Sequence, residues 1–167
     1  MSAGGAPADA GPLLVPDLLS HGFRRYPDRD CVVVDGAARS FAEVSGRASQ
    51  LADLLRERGL GDGARVALLS HNEPEYVEVR VGSQRAGSIV VPLNYRLSES
   101  ELRGIVADCA PELVVAGPEY GELAARLGVP WVLELGPDAP PERSYEAALA
   151  GRPAAPPPAG LDGSLVT

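Results

Sequence analysis

Arg96 is the residue whose surroundings best suit it to bind something. It follows the apolar, β-branched run Ser88-Ile-Val-Val91, then Pro92 and the short loop Leu93-Asn94-Tyr95. Such a run is expected to form a strand buried on both faces, which the proline then stops. Ligands of open α/β sheets sit just beyond the carboxyl ends of their strands, where Arg96 would stand. Its guanidinium presents a fork of donors able to engage two oxygens of a phosphate at once. The plainer alternative is a surface arginine paired with Glu99 or Glu101, worth little to stability.

No other residue makes an equal case. His71 and Asn72 follow the apolar run Arg65-Val-Ala-Leu-Leu69 at the same kind of edge. Asn72 is assigned to a helix cap, and His71 is given no catalytic role. Gly59-Leu-Gly-Asp-Gly63 has the composition of a phosphate loop in the wrong order, after a helix and before a strand, so it reads as a connector. Cys31 and Cys109 lie far apart in apolar runs and read as two reduced, buried thiols. His21 and His71 add no ligand spacing, so neither a metal site nor a catalytic residue is assigned. Gly-x-x-x-x-Gly-Lys, Gly-x-Ser-x-Gly and His-Glu-x-x-His are all missing. Every one of the 15 cations is an arginine. Without lysine or a glycine-rich loop, the chain is poorly equipped to hold a triphosphate by itself.

The elements that must position Arg96 follow from local patterns. Asn72 and Glu75 have capping-box spacing, predicting a helix from Glu73 to Gly87, where glycine permits a left-handed exit. Ser98 with Glu101 predicts a second helix, carrying Leu102, Ile105, Val106 and Cys109 on one face, before the strand Leu113-Val-Val. Strand, helix and strand make a parallel crossover unit. Upstream, a helix is expected over residues 15–26, with Leu18, Leu19 and Phe23 inward and Pro27 ending it. Cys31–Val34, Asp35-Gly36 and Arg39–Phe41 read as a hairpin, since Asp-Gly tolerates the positive φ of its turn. Ser40 with Glu43 caps a further helix, whose stripe is Phe41, Val44, Ala48, Leu51, Leu54 and Leu55 and whose end is Gly59. Downstream, Glu119–Leu127 reads as helix and Val129–Leu135 as strand, with Trp131 in the core. A short helical piece near Tyr145–Leu149 interrupts a proline-rich stretch.

The expected fold class is therefore α/β, a mainly parallel sheet flanked by helices with an N-terminal β-hairpin. Residues 1–12 are expected to be disordered, 13–136 to form the α/β subdomain, 137–163 a Pro-rich linker or long surface loop, and 164–167 the start of a truncated strand. A net charge of −8 without a basic cluster argues against nucleic acid as a partner. The N-terminus lacks the features of a signal peptide and no apolar run reaches membrane-spanning length, which makes the cytoplasm the expected location.

Several of these stretches carry a resemblance: Asn72-Glu-Pro-Glu-Tyr76, Arg85-Ala-Gly87, Val91-Pro-Leu-Asn94 with Arg96-Leu97, Glu101-Leu102 and Leu113-Val-Val. The chain resembles the N-terminal subdomain of adenylate-forming (AMP-binding) enzymes of the acyl-CoA synthetase and acid-CoA ligase type. Glu78, Arg80 and Gln84 stand where relatives tend to be apolar, and Tyr95 where proline is frequent. The resemblance implies a parent enzyme using ATP, Mg2+ and CoA to turn a small carboxylic acid into an acyl-adenylate and then a thioester, in fatty acid or aryl acid metabolism. It also implies that Arg96 meets the phosphates of CoA's nucleotide end. The phosphate loop with its lysine would follow a strand like Ser164-Leu-Val-Thr167, and the acyl pocket, adenine site and mobile C-terminal domain come later. The remainder of the enzyme would thus be this chain's partner, and the chain alone is expected neither to bind these cofactors tightly nor to be active. Two alternatives stand beside it: an adenylation enzyme loading a carrier protein, and a stand-alone, non-catalytic α/β module that pairs with a second chain.

Overall fold

The computed structural model describes residues 22–155. The expected disordered N-terminus, most of the first helix and the expected strand at 164–167 lie outside them. Within them, Gly22–Arg25 are helical and Phe23 is buried.

After this helical turn comes the hairpin β1 (Asp30–Val34) and β2 (Ala37–Ser40), turned by Asp35 at φ 49° and Gly36 at φ 81°. Helix α1 (Phe41–Glu57) follows, started by Ser40 and Glu43 in a reciprocal capping box and left through Gly59 at φ 72°. Then come β3 (Arg65–Leu69), α2 (Glu75–Ala86), β4 (Ile89–Pro92), α3 (Glu99–Cys109) and β5 (Leu113–Ala116). A 3-10 turn (Pro118–Tyr120) leads into α4 (Gly121–Arg126), β6 (Trp131–Glu134) and α5 (Tyr145–Leu149).

Strands β3 to β6 form one parallel sheet in the order β4-β3-β5-β6. Successive side chains of a strand point to opposite faces, and both faces here are covered. Val66, Leu68, Leu113 and Val115 pack against α1, α2 and α5, with Leu51, Leu55, Val79, Tyr145 and Leu149. Ala67, Leu69, Val114 and Ala116 pack against α3 and α4, with Leu102, Val106 and Ala124. A smaller cluster of Phe23, Val44, Ala48 and Val81 seats the hairpin on α1 and α2.

Three local readings are corrected. Helix α2 starts at Glu75 with Pro74 at its cap and no side-chain cap hydrogen bond, so Asn72 does not cap it. The Glu75 carboxylate that would have completed the box is bound to Arg39 of the hairpin instead. Among the described residues β4 is an edge strand rather than one buried on both faces, because its only ladder there is to β3, and Ile89 is 44% exposed. On α3, Leu102 and Val106 are buried while Ile105 is exposed.

Within the stretch expected as the opening of a linker or long surface loop, the short helix α5 docks on the core through Tyr145 and Leu149, while residues 137–144 are exposed or half-buried. Ser144 bridges Glu134 beside β6, and Tyr145 and Leu149 are buried in the larger cluster. The polar residues of α2 also fit its packing. Glu78 is 0% exposed between Arg39 and Arg47, burial raises its carboxyl above the usual range, and the two guanidinium groups pull it back. Buried Arg85 donates to the Ser45 carbonyl at 2.6 Å and to Ser49 Oγ at 2.8 Å, which ties α2 to α1.

The capping box at the start of α3 gives a direct stability test. Glu101 accepts from Ser98 Oγ at 2.6 Å and from the Ser98 amide at 2.8 Å, and these bonds, the hydroxyl first, hold its carboxyl below the usual range. A carboxyl so lowered stabilises the fold above its ordinary pKa and loses that contribution as pH falls through the lowered value. Ser98→Ala should cost about 1 kcal/mol at neutral pH. Urea titrations should show the gap from wild type narrowing in acid.

Candidate functional site

Arg96 sits, as expected, beyond the carboxyl end of β4, and it is exposed. Its backbone amide donates to Asn94 Oδ1 at 3.0 Å, which folds the loop tightly, and its Cζ lies 5.5 Å from the centroid of the Tyr95 ring. The alternative of a surface pair is not formed. Glu99 is taken by Arg103 at 2.8 Å and Arg126 at 3.1 Å, and Glu101 by Ser98. Among the described residues no carboxylate lies within ion-pair distance of Arg96, so its fork of donors faces solvent.

The strand order adds a second feature of this edge. From β3 the chain crosses by α2 to β4 on one side, whereas from β5 it crosses by α4 to β6 on the other. The sheet's direction of winding therefore reverses between β3 and β5, and their carboxyl ends open the crevice where α/β sheets take ligands. His71, just after β3, and Glu119 and Tyr120, just after β5, stand at that edge. His71 Nε2 lies 2.5 Å from the Tyr120 hydroxyl and 3.3 Å from Glu119 Oε1. The imidazole also stacks on Tyr95, centroid to centroid at 4.0 Å and 23°, and lies 5.5 Å and 14° from Tyr120. One imidazole thus joins the ends of β3, β4 and β5.

This edge is acidic on one flank. Desolvation first, then Glu119 and Glu75, raise the Glu73 carboxyl, while His71 pulls it down. The Tyr120 phenol is raised by desolvation and by Glu119. Arg96 supplies the exposed cation on the other flank. Sequence reasoning singled out Arg96 and placed His71 at the same kind of edge without a role, but it passed over Tyr95, Glu119 and Tyr120, because only the strand order shows that they converge on His71. Cys31 and Cys109 are free, partly buried and raised by desolvation, with no role at this edge.

A family model described as AMP-binding enzyme matches residues 19–160. The chain belongs to the AMP-binding enzyme family. Feruloyl-CoA synthase from an Amycolatopsis species is 37% identical over 112 residues, which cover 67% of this chain and 23% of that protein. Indoleacetate–CoA ligase from Aromatoleum aromaticum is 33% identical over 129 residues, covering 75% and 24%. A crystal structure of a protein described as a long-chain-fatty-acid CoA ligase from Rhodopseudomonas palustris superposes with a TM-score of 0.78 at 29% identity, over 89% of this chain and 39% of that one. The α/β fold with its parallel sheet and hairpin is thus that of the N-terminal region of such enzymes. The chain spans about a quarter of the length of these two curated relatives.

Proposed function

We propose that this chain is the first subdomain of an ATP-dependent carboxylic acid–CoA ligase, and that Arg96 engages the phosphates of CoA's nucleotide end. The observation that carries the proposal is the guanidinium at a strand's carboxyl edge, exposed and free of carboxylate partners among the described residues. Such a group fits a phosphate. The relatives named above point to an aryl or fatty acid as the small carboxylic acid substrate. ATP and Mg2+ fit less well here, since the chain has no lysine and no three potential metal ligands converge among the described residues. Both are therefore proposed to be held by the remainder of the enzyme. Among the described residues no helix is long and apolar enough to cross a membrane, and a cytoplasmic location belongs to the same proposal.

A partly solvated arginine–phosphate contact is worth about 1 to 2 kcal/mol, between an exposed ion pair and a buried charged hydrogen bond. Arg96→Ala in the full-length enzyme should accordingly raise the KM for CoA by about 5- to 30-fold. Acid-dependent exchange of pyrophosphate into ATP should stay nearly unchanged. Equal losses in both half-reactions would make Arg96 structural. No loss in either would return it to the solvated surface, as in an adenylation enzyme that loads a carrier protein without needing the CoA phosphates.

A further inference from the structure

We propose that the proline-rich stretch 156–160 of this chain docks in an open groove along α1, and so fixes where the chain leaves the subdomain. The groove has a volume of about 480 Å³ and is lined by one face of α1, from Ala42 through Gly46 to Gln50, with Arg39 of β2 and Ala154. Its α1 positions, 42, 43, 46, 47 and 50, follow the helical repeat, so it runs along the helix. The last described residues already enter it. Gln50 Nε2 donates to the Arg152 carbonyl at 3.0 Å, and Arg152 Nη1 holds Asp53 at 2.8 Å with Glu57 beside it. Ala154 then lies against Gly46, where a Cβ added to the glycine would stand 3.4 Å from that of the alanine. The segment thus runs backwards along α1, from Asp53 past Gln50 to Gly46.

Between these contacts, two residues of the segment span four of the helix. A polyproline chain rises about 3.1 Å per residue and an α-helix about 1.5 Å, so the two paths match at about 6 Å. Continued at that pitch, Pro156 would stand beside Ala42, and Pro157 and Pro158 would reach Arg39. The chemistry of the groove suits this occupant. Arg39 is bound to Glu75 and Glu78, Arg47 to Glu78 and Glu146, and Glu43 to the Ser40 amide, so its charges are already paired. A neutral segment fits best, and residues 153–160, Pro-Ala-Ala-Pro-Pro-Pro-Ala-Gly, carry no charge. Ala42 and Gly46 have little or no side chain, which leaves room for proline rings. A proline run has little conformational freedom to lose on docking, and this one is tethered at the groove itself. The proposal is independent of the role given to Arg96. Its consequence is that the route to residues 164–167 starts from the hairpin end of α1.

The test is the accessibility of position 42 in the full-length enzyme. Ala42 is exposed when only the described residues surround it, so a thiol there reports whether the groove is filled. Ala42→Cys is treated with a maleimide, and labelling is followed by mass spectrometry of the peptide carrying position 42, apart from Cys31 and Cys109. The comparison is the same variant with Pro156, Pro157 and Pro158 all replaced by glycine, which keeps the length and removes the stiffness. Labelling should be about 10-fold slower with the prolines than without them, as for a contact open about a tenth of the time. Fast labelling with the prolines in place means an empty groove and overturns the proposal. Equally slow labelling in both means that another part of the enzyme covers α1, which overturns it too. Should Ala42→Cys misfold, Pro157→Cys is the reciprocal probe. Gly46→Arg, which fills the groove from the helix side, should then speed its labelling by a similar factor, and an unchanged rate refutes the docking.

Discussion

Replacing Tyr145 by alanine lowers the unfolding free energy by about 3 to 5 kcal/mol, the range for deleting a buried aromatic ring. The residue comes from a proline-rich stretch whose composition suggests a surface loop, yet it is 0% exposed and lies in the larger core cluster with Leu149 and the inner face of β3 and β5. The Arg47 guanidinium stands 5.8 Å from its ring. Desolvation first, then Glu78, push its phenol well above the usual range, so it enters the core as a neutral group. Its hydroxyl lies 3.5 Å from Glu78 Oε2, at the outer limit of a hydrogen bond, so the apolar ring supplies most of the effect. Tyr145→Phe should therefore cost less than about 1 kcal/mol. Urea denaturation of both variants separates the two contributions. A loss below about 1 kcal/mol for alanine would return α5 to the surface.

Gly82→Val should cost about 3 kcal/mol, the upper end of the range for overpacking. A Cβ at this position would stand 2.8 Å from the Ala48 carbonyl oxygen and 2.9 Å from Leu51 Cδ2. The leucine tip can move, but the carbonyl belongs to the backbone of α1. Helices α1 and α2 would have to separate, opening the interface that Arg85 and Glu78 hold together. Gly104 is the internal control, since a Cβ there meets nothing within 4 Å on the exposed side of α3. Gly104→Ala should stabilise by about 0.5 to 1 kcal/mol through helix propensity alone. Thermal unfolding that moved in the same direction for both variants would contradict the close contact.

These two glycines show where sequence reasoning reaches its limit. Both sit in helices, and what distinguishes them is a neighbour more than thirty residues away in one case and its absence in the other. Local signals were read well. The Ser40 and Ser98 capping boxes, the Asp35-Gly36 turn and the glycine exit at 87 each depend on fewer than six consecutive residues. Asn72 failed although its spacing was right, because a residue of the distant hairpin, Arg39, competes for Glu75 and wins. The buried-strand reading of β4 failed for a similar reason. An apolar run looks alike in the middle of a sheet and at its edge, and only the order of strands separates them. The candidate site divides in the same way. Arg96 could be placed from a single crossover unit, whereas the partners of His71 come from loops about 24 and 49 residues further along the chain.

The strand order also bears on how the chain is made. Synthesis delivers β3, α2 and β4 first, and these can pair as soon as they emerge, since their contacts span a single crossover. Strand β5 arrives after α3 and must be laid on the opposite flank of β3, which until then presents a bare row of amides and carbonyls. An emerging chain is therefore open to a wrong partner along its central strand for the time needed to translate α3, roughly a second at 5 to 20 residues per second. The reciprocal glutamate cap at the start of α3 acts within that interval. It lets the helix begin before the sheet is complete, so that β5 is carried to its slot by an element already wound.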